Sequence, residues 1–247
     1  MPKAENKKQK KLAKQKQKQK QAQRQLARKR NEANSLAGQV SEAARRPLEK
    51  CFISETLLEQ LRLTGDVEER MGTILAVGRV PSKGFLFAHF LVDGLCLGVK
   101  DAFARIVPSE HYRDILAKMT SDPEELGECS PALALEVLTQ ARDYAAQFNL
   151  RPGGKFDTVV KLLGNPDESL TEKFHFGAND DEEPRYVVGP NDSPAKQEIV
   201  LSRLIETVGE ENFDFVSQSQ LRDLGTDFES WSDEDDWELD EPIELIE

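Results

Sequence analysis

Four residues lie close enough in the sequence to do chemistry together: His89, Asp93, Cys96 and Lys100. A thiol beside an imidazole is the pairing of an activated nucleophile, because the ring takes the proton that the sulfur must lose before it attacks. A hydrolase-like enzyme would use this hairpin segment, with Cys96, His89, Asp93 or Lys100 as its candidate residues. Asp93-Gly94, between Val92 and Leu95, has the composition of a two-residue type I′ turn. It predicts a hairpin in which Val92 faces Leu95 and Leu91 faces Cys96. That register makes His89 and Cys96 diagonal neighbours on one sheet face, roughly 7–8 Å apart at their α-carbons. Packing is the competing explanation, and composition favours it: free Cys is among the most buried residue types, and a His between Phe87 and Leu91 suits a hydrogen-bonded core position. No third group that would orient the imidazole is identifiable.

The other chemical candidates divide in the same way. Lys100 and Asp101 could hold a phosphate or a metal, or Asp101 could cap a helix beginning at Ala102 with Lys100 solvated. Neither G-x-x-x-x-G-K-[ST] nor G-x-G-x-x-G occurs, which disfavours a nucleotide-binding fold. The turn at residues 189–194 precedes a helix whose N-terminus would attract an anion. Ser193 as N-cap and Pro194 as first helical residue account for it without a ligand. Asp180, Asp181, Glu182 and Glu183 are contiguous and lack the spaced oxygens and the glycine of a calcium loop, so they read as a solvated acidic loop. The three cysteines (Cys51, Cys96, Cys129) and three histidines (His89, His111, His175) are dispersed. That spacing fits neither a disulfide framework nor a metal site, implies no cofactor, and points to a reducing compartment.

Charge supplies a different kind of signal. Residues 1–30 carry ten Lys, three Arg and one Glu, a net +12. Removing them from the chain's 33 basic and 45 acidic residues leaves 20 against 44, a net −24 for everything after Arg30. A cationic arm on an anionic body is suited to a polyanion, since each Lys or Arg that neutralises a phosphate releases counterions. The candidate nucleic-acid contacts are Lys7, Lys8, Lys10, Lys11, Lys14, Lys16, Lys18, Lys20, Arg24, Arg28, Lys29 and Arg30. No aromatic residue precedes Phe52, so the arm cannot stack on bases, and contact with RNA or a ribonucleoprotein would be non-specific. The alternative is a solvated extension. The last 25 residues mirror the arm: residues 223–247 hold twelve acidic residues and no basic one. Trp231 and Trp237 among them are candidate anchors for a protein partner. The two tails could also pair with each other.

These residues need elements to position them. Residues 72–80 and 85–92 are apolar and β-branched, and read as two antiparallel strands around a turn; residues 95–99 would form the third. Both faces of the central strand are apolar, which requires helices over the sheet. Ser54 could open a short helix. Helical patterns follow at residues 109–118, from Ser130-Pro131 to about Asn149, at 156–163 and at 193–208. Residues 174–176, 186–188 and 213–216 read as short strands. The expected architecture is α+β, a small antiparallel sheet with packed helices. It divides into a basic tail, disordered or helical, at residues 1–46, one domain at 47–222, and a disordered acidic tail at 223–247. No apolar segment follows the basic leader as in a signal peptide, and no run approaches the ~18 residues of a membrane span. A cytoplasmic protein without membrane contact is therefore expected.

Residues 91–103, Leu-Val-Asp-Gly-Leu-Cys-Leu-Gly-Val-Lys-Asp-Ala-Phe, resemble an uncharacterised family of bacterial proteins built around a VD-x-x-CLGVK-[DN]-A-F segment. The likeness extends to Ser130-Pro131-Ala132, to Tyr144-Ala145 and to residues 186–195, and spans roughly residues 72–216. It implies a bacterial origin and a single domain, carries no activity, and includes neither charged tail.

Overall fold

The computed structural model describes residue 31 and residues 34–81, 83–120, 126–164, 172–190 and 192–217. The basic arm, residues 1–30, lies outside the described residues, as does the acidic tail with Trp231 and Trp237.

The architecture is α+β, as composition and periodicity predict. Strands Lys50–Ser54 (β1), Met71–Val80 (β2), Gly84–Asp93 (β3), Gly98–Val107 (β4) and Leu126–Glu128 (β5) form one antiparallel sheet in the order β4-β3-β2-β1-β5. Arg185–Val187 (β6) and Asp214–Val216 (β7) pair in parallel as a separate ribbon. Helices Leu36–Ala43 (α1), Glu55–Arg62 (α2), Tyr112–Thr120 (α3), Pro131–Ala146 (α4), Phe156–Val159 (α5) and Pro194–Thr207 (α6) complete it, with a 3-10 turn at Val160–Leu163 following α5. Four of the helices start for one local reason. The hydroxyls of Ser35, Ser54, Ser130 and Ser193 each accept from the backbone N–H three residues on, and Pro131 and Pro194 occupy first-turn positions that need no donor.

β2 and β3 pair along their full length, from Met71↔Asp93 to Val80↔Gly84. Successive side chains alternate faces. One face, with Ile74, Ala76, Leu86, Ala88 and Phe90, enters the main core beneath α1, α4 and α5. The other, with Phe52, Leu75, Val77, Phe87 and Val107, packs against Tyr112, Ile115, Leu116 and Met119 of the α3 helix.

The β3–β4 connection departs from the type I′ expectation. Val92 pairs with Val99 and Asp93 with Gly98, so residues 94–97 form a four-residue loop instead of the start of a strand. Asp93 Oδ1 accepts from the N–H groups of Leu95 and Cys96 at 3.0 and 3.1 Å, closing the wider loop from inside. Gly98 ends it at φ 65°, and a Cβ there would lie 2.3 Å from the Ala141 carbonyl oxygen. The helix expected from Ala102 is not formed: residues 98–107 stay in the sheet, because the alternation through Ala102, Phe103, Ala104 and Arg105 suits a strand with one solvated face. Phe174 and Phe176 are buried but belong to no strand. Their segment is held instead by the Gln140 side chain and the Leu61 carbonyl.

The folded part also begins earlier than residue 47. Val40 and Ala43 of α1 are 1% and 0% exposed and pack into the main core, although they fall in the segment read as tail. Val40→Ala is therefore expected to lower the unfolding free energy by about 1–3 kcal/mol in a denaturant titration, where an unpacked tail residue would leave the midpoint unchanged.

Candidate functional site

The hairpin residues are drawn apart by the register. Cys96 is fully buried in the main core with Ala88 and Phe90. His89 lies on the opposite face of β3, stacked on Phe103 with ring centroids 4.9 Å apart, so the diagonal His89–Cys96 pair is not formed. Burial and the neighbouring Asp93 push the Cys96 thiol well above its ordinary pKa, which keeps the sulfur protonated and a poor nucleophile. Burial also pushes His89 down to about 4, against the pull of Asp101. Its Nδ1 has no hydrogen-bond partner among the described residues.

Asp93 is 2% exposed and serves the loop that it closes. Burial raises its pKa, while Lys100 and the loop N–H groups oppose the rise. Lys100 is not solvated. Its Nζ lies 3.3 Å from Asp192 Oδ2, with the two side chains 11% and 1% exposed. Asp192 is the residue that sequence reasoning passed over as part of a turn. It accepts from the Gly189 N–H at 2.8 Å and from the Tyr186 hydroxyl at 3.4 Å, and pairs with Lys196 at 2.6 Å. Burial works against the Asp192 carboxylate, but Lys196, Lys100 and the Gly189 amide outweigh it and hold its pKa below the usual value. A Cβ at Gly189 would stand 2.6 Å from Lys100 Nζ, so a side chain there would push the ammonium aside. The two phrases of the family resemblance thus meet at one buried ion pair. Tyr144 adds a second tie, donating from its hydroxyl to the Leu95 and Glu182 carbonyls.

Arg70 was equally hidden, since Glu68-Glu69-Arg70 reads as a solvated charge run. It is 1% exposed, donates from Nη2 to the Leu63 carbonyl, and has no partner for Nε or Nη1 among the described residues. Each of these buried charges is surrounded by the chain itself. None of them lines the two surface grooves bordered by α5 and its 3-10 turn.

Those grooves share the 3-10 turn after α5, and one of them runs beside α1. One, of about 330 Å³, is lined by Ser41 and Arg45 beside α1 and by Thr158 and Lys161 beside α5. The other, of about 380 Å³, shares Lys161 and adds Thr139 and Arg142. Arg142 is paired with Asp143 at 2.8 Å. Arg45 and Lys161 are exposed and form no ion pair among the described residues. Two free cations flanked by hydroxyls can take phosphate oxygens, and neither residue was singled out by spacing, because α1 and α5 are far apart in the chain. Among the described residues no group of three or more His, Cys, Asp or Glu is gathered to hold a metal, and no helix is long and apolar enough to cross a membrane.

Asp192→Ala strands the Lys100 ammonium and is expected to destabilise by about 3 kcal/mol, whereas Lys196→Ala, at the exposed end of the cluster, should remain below about 1 kcal/mol; equilibrium unfolding measures both. Because the folded pKa of His89 is depressed from 6.5 to about 4, its contribution is present above pH 6.5 and lost as pH falls through 4. Comparing stability against pH for His89→Phe and the parent chain should show that loss, about 3 kcal/mol, absent from the variant. Comparison of the chain with protein-family models, with curated proteins and with solved structures finds no match, and the chemistry of the site therefore rests on these residues alone.

Proposed function

We propose that this is a cytoplasmic, non-enzymatic protein that binds RNA, free or in a ribonucleoprotein, through phosphate contacts with no base readout. The observation that carries the reading is the pair of exposed cations, Arg45 and Lys161, which form no ion pair among the described residues and share a groove beside α1, the helix that follows the lysine-rich arm in the sequence. The body after Arg30 has a net charge of −24 and repels a polyanion over most of its surface. A bound strand would then run along the arm and continue into a groove whose charged lining residues, Arg45 and Lys161, are basic. The absence of aromatic residues before Phe52 makes this contact electrostatic, because base stacking needs rings.

A hydrolase reading needs an accessible nucleophile, and nothing favours it: Cys96 is buried and its base lies across the sheet. Anisotropy of a labelled unstructured RNA, measured against salt, tests the proposal. The full chain is expected to bind in dilute buffer with a steep loss on adding salt. Removing residues 1–30 should flatten that slope. Arg45→Ala with Lys161→Ala should reduce it by about 1.4, at roughly 0.7 per lost single-strand contact. A full chain that ignores RNA at low salt, or an arm deletion that changes nothing, overturns the reading. In the latter case a nuclease-insensitive partner held by Trp231 and Trp237 becomes the simpler account.

A further inference from the structure

Cys51 and Cys129, separated by 78 residues, are brought together by the pairing of β1 with β5, and their sulfurs lie 3.7 Å apart. We propose that they form a reversible dithiol–disulfide couple, with Cys129 the site of oxidation and hydroperoxides the class of oxidant.

The geometry is already close to that of the bonded pair. Phe52 faces Glu128 and Ile53 faces Gly127, so Cys51 and Cys129 stand opposite each other at the next step, joined by a hydrogen bond from the Cys129 N–H to the Cys51 carbonyl. Directly opposed residues in a hydrogen-bonded antiparallel pair have α-carbons about 5.5 Å apart, within the ~4.4–6.8 Å that a disulfide spans. β5 is a three-residue edge strand that stops at Glu128. Cys129 therefore sits between the end of the ladder and the Ser130 cap of α4, and the two sulfurs have about 1.7 Å still to close to reach the ~2.05 Å of a disulfide.

The two thiols are unequal, as an attacking and a resolving sulfur should be. Cys129 is half-buried and Cys51 only 3% exposed. As thiols, Cys129 donates to Cys51. Once Cys129 ionises, the Cys51 S–H becomes the donor, and that hydrogen bond lowers the Cys129 pKa while raising that of Cys51. The nearby Glu128 carboxylate opposes the thiolate, but it is held by Lys50 at 2.8 Å. Cys96, fully buried on its own, has no sulfur within reach and stays outside the couple.

The chemistry balances with hydrogen peroxide as oxidant. The Cys129 thiolate attacks one peroxide oxygen and breaks the O–O bond, giving a sulfenic acid and a hydroxide that is protonated to water. The Cys51 sulfur then displaces the sulfenic oxygen, which leaves as a second water carrying the Cys51 proton. Two thiols lose two electrons and two protons, and one peroxide becomes two waters. An external dithiol reverses it by exchange.

The test treats the reduced full chain with a few-fold excess of hydrogen peroxide, blocks the remaining thiols under denaturing conditions, and maps non-reduced peptides by mass. One intramolecular Cys51–Cys129 linkage, with Cys96 alkylated and full recovery of three thiols after dithiothreitol, is the expected result. In Cys51→Ser, dimedone should trap a sulfenic acid on Cys129; in Cys129→Ser, Cys51 should stay reduced. Unreacted thiols, Cys129 driven to sulfinic acid while Cys51 stays free, or cross-linked dimers in place of the internal bond would each overturn the proposal, and the wild-type peptide map decides it even where a variant folds poorly. RNA binding is not read in any arm, so the result stands apart from the function proposed above.

Discussion

The full-length pairing of β2 with β3 is the constraint from which the other elements take their places. Ten consecutive cross-strand pairs fix which side chains of both strands share a face, and both faces are apolar, so neither can be left to water. The main core forms on one side because α1, α4 and α5 converge there. The smaller cluster on the other side needs only α3. β1 and β4 then add to the two free edges, and β5 adds to β1. Even the loop after β3 obeys this pair: Asp93 is the last ladder residue, and its carboxylate folds residues 94–97 inward, where Leu95, Cys96 and Leu97 are buried.

A fold that turns its hairpin inward must neutralise the polar groups it takes along. Lys100 and Asp192 do this for each other, and the Gly189 amide, the Tyr186 hydroxyl and Lys196 satisfy the remaining carboxylate capacity. Burying a charge without such partners is far more expensive than burying the pair. The residues that look most chemical in the sequence are thus consumed by architecture. Among the described residues, Arg45 and Lys161 stay exposed beside α1 and the 3-10 turn, and Cys129 is half-buried at the β5 edge of the sheet.

Much of the fold was legible because its signals are local. The β2 and β3 strands show in their apolar, β-branched runs, and α4 and α6 show in Ser-Pro starts followed by helical spacing. The errors have local causes too. Asp-Gly is shared by type I′ turns and by wider loops closed by the Asp side chain, and only Asp93's contacts with Leu95 and Cys96 distinguish them. That one choice moved the third strand by three residues and separated His89 from Cys96. α1 was hidden by its neighbour: the lysine-rich composition before it masked Val40 and Ala43, which are core residues.

Residue order alone determined the α+β class, the positions of most helices and the division into a cationic arm, a folded middle and an anionic end, because capping, periodicity and charge density each depend on residues within a few positions of one another. The tertiary structure alone decided which distant residues meet. Lys100 and Asp192, Arg45 and Lys161, and Cys51 and Cys129 carry no mark of each other in the sequence. They are joined because strands and helices that bury one shared core must bring particular faces and edges together, and that burial is a property of the whole chain and not of any short stretch of it.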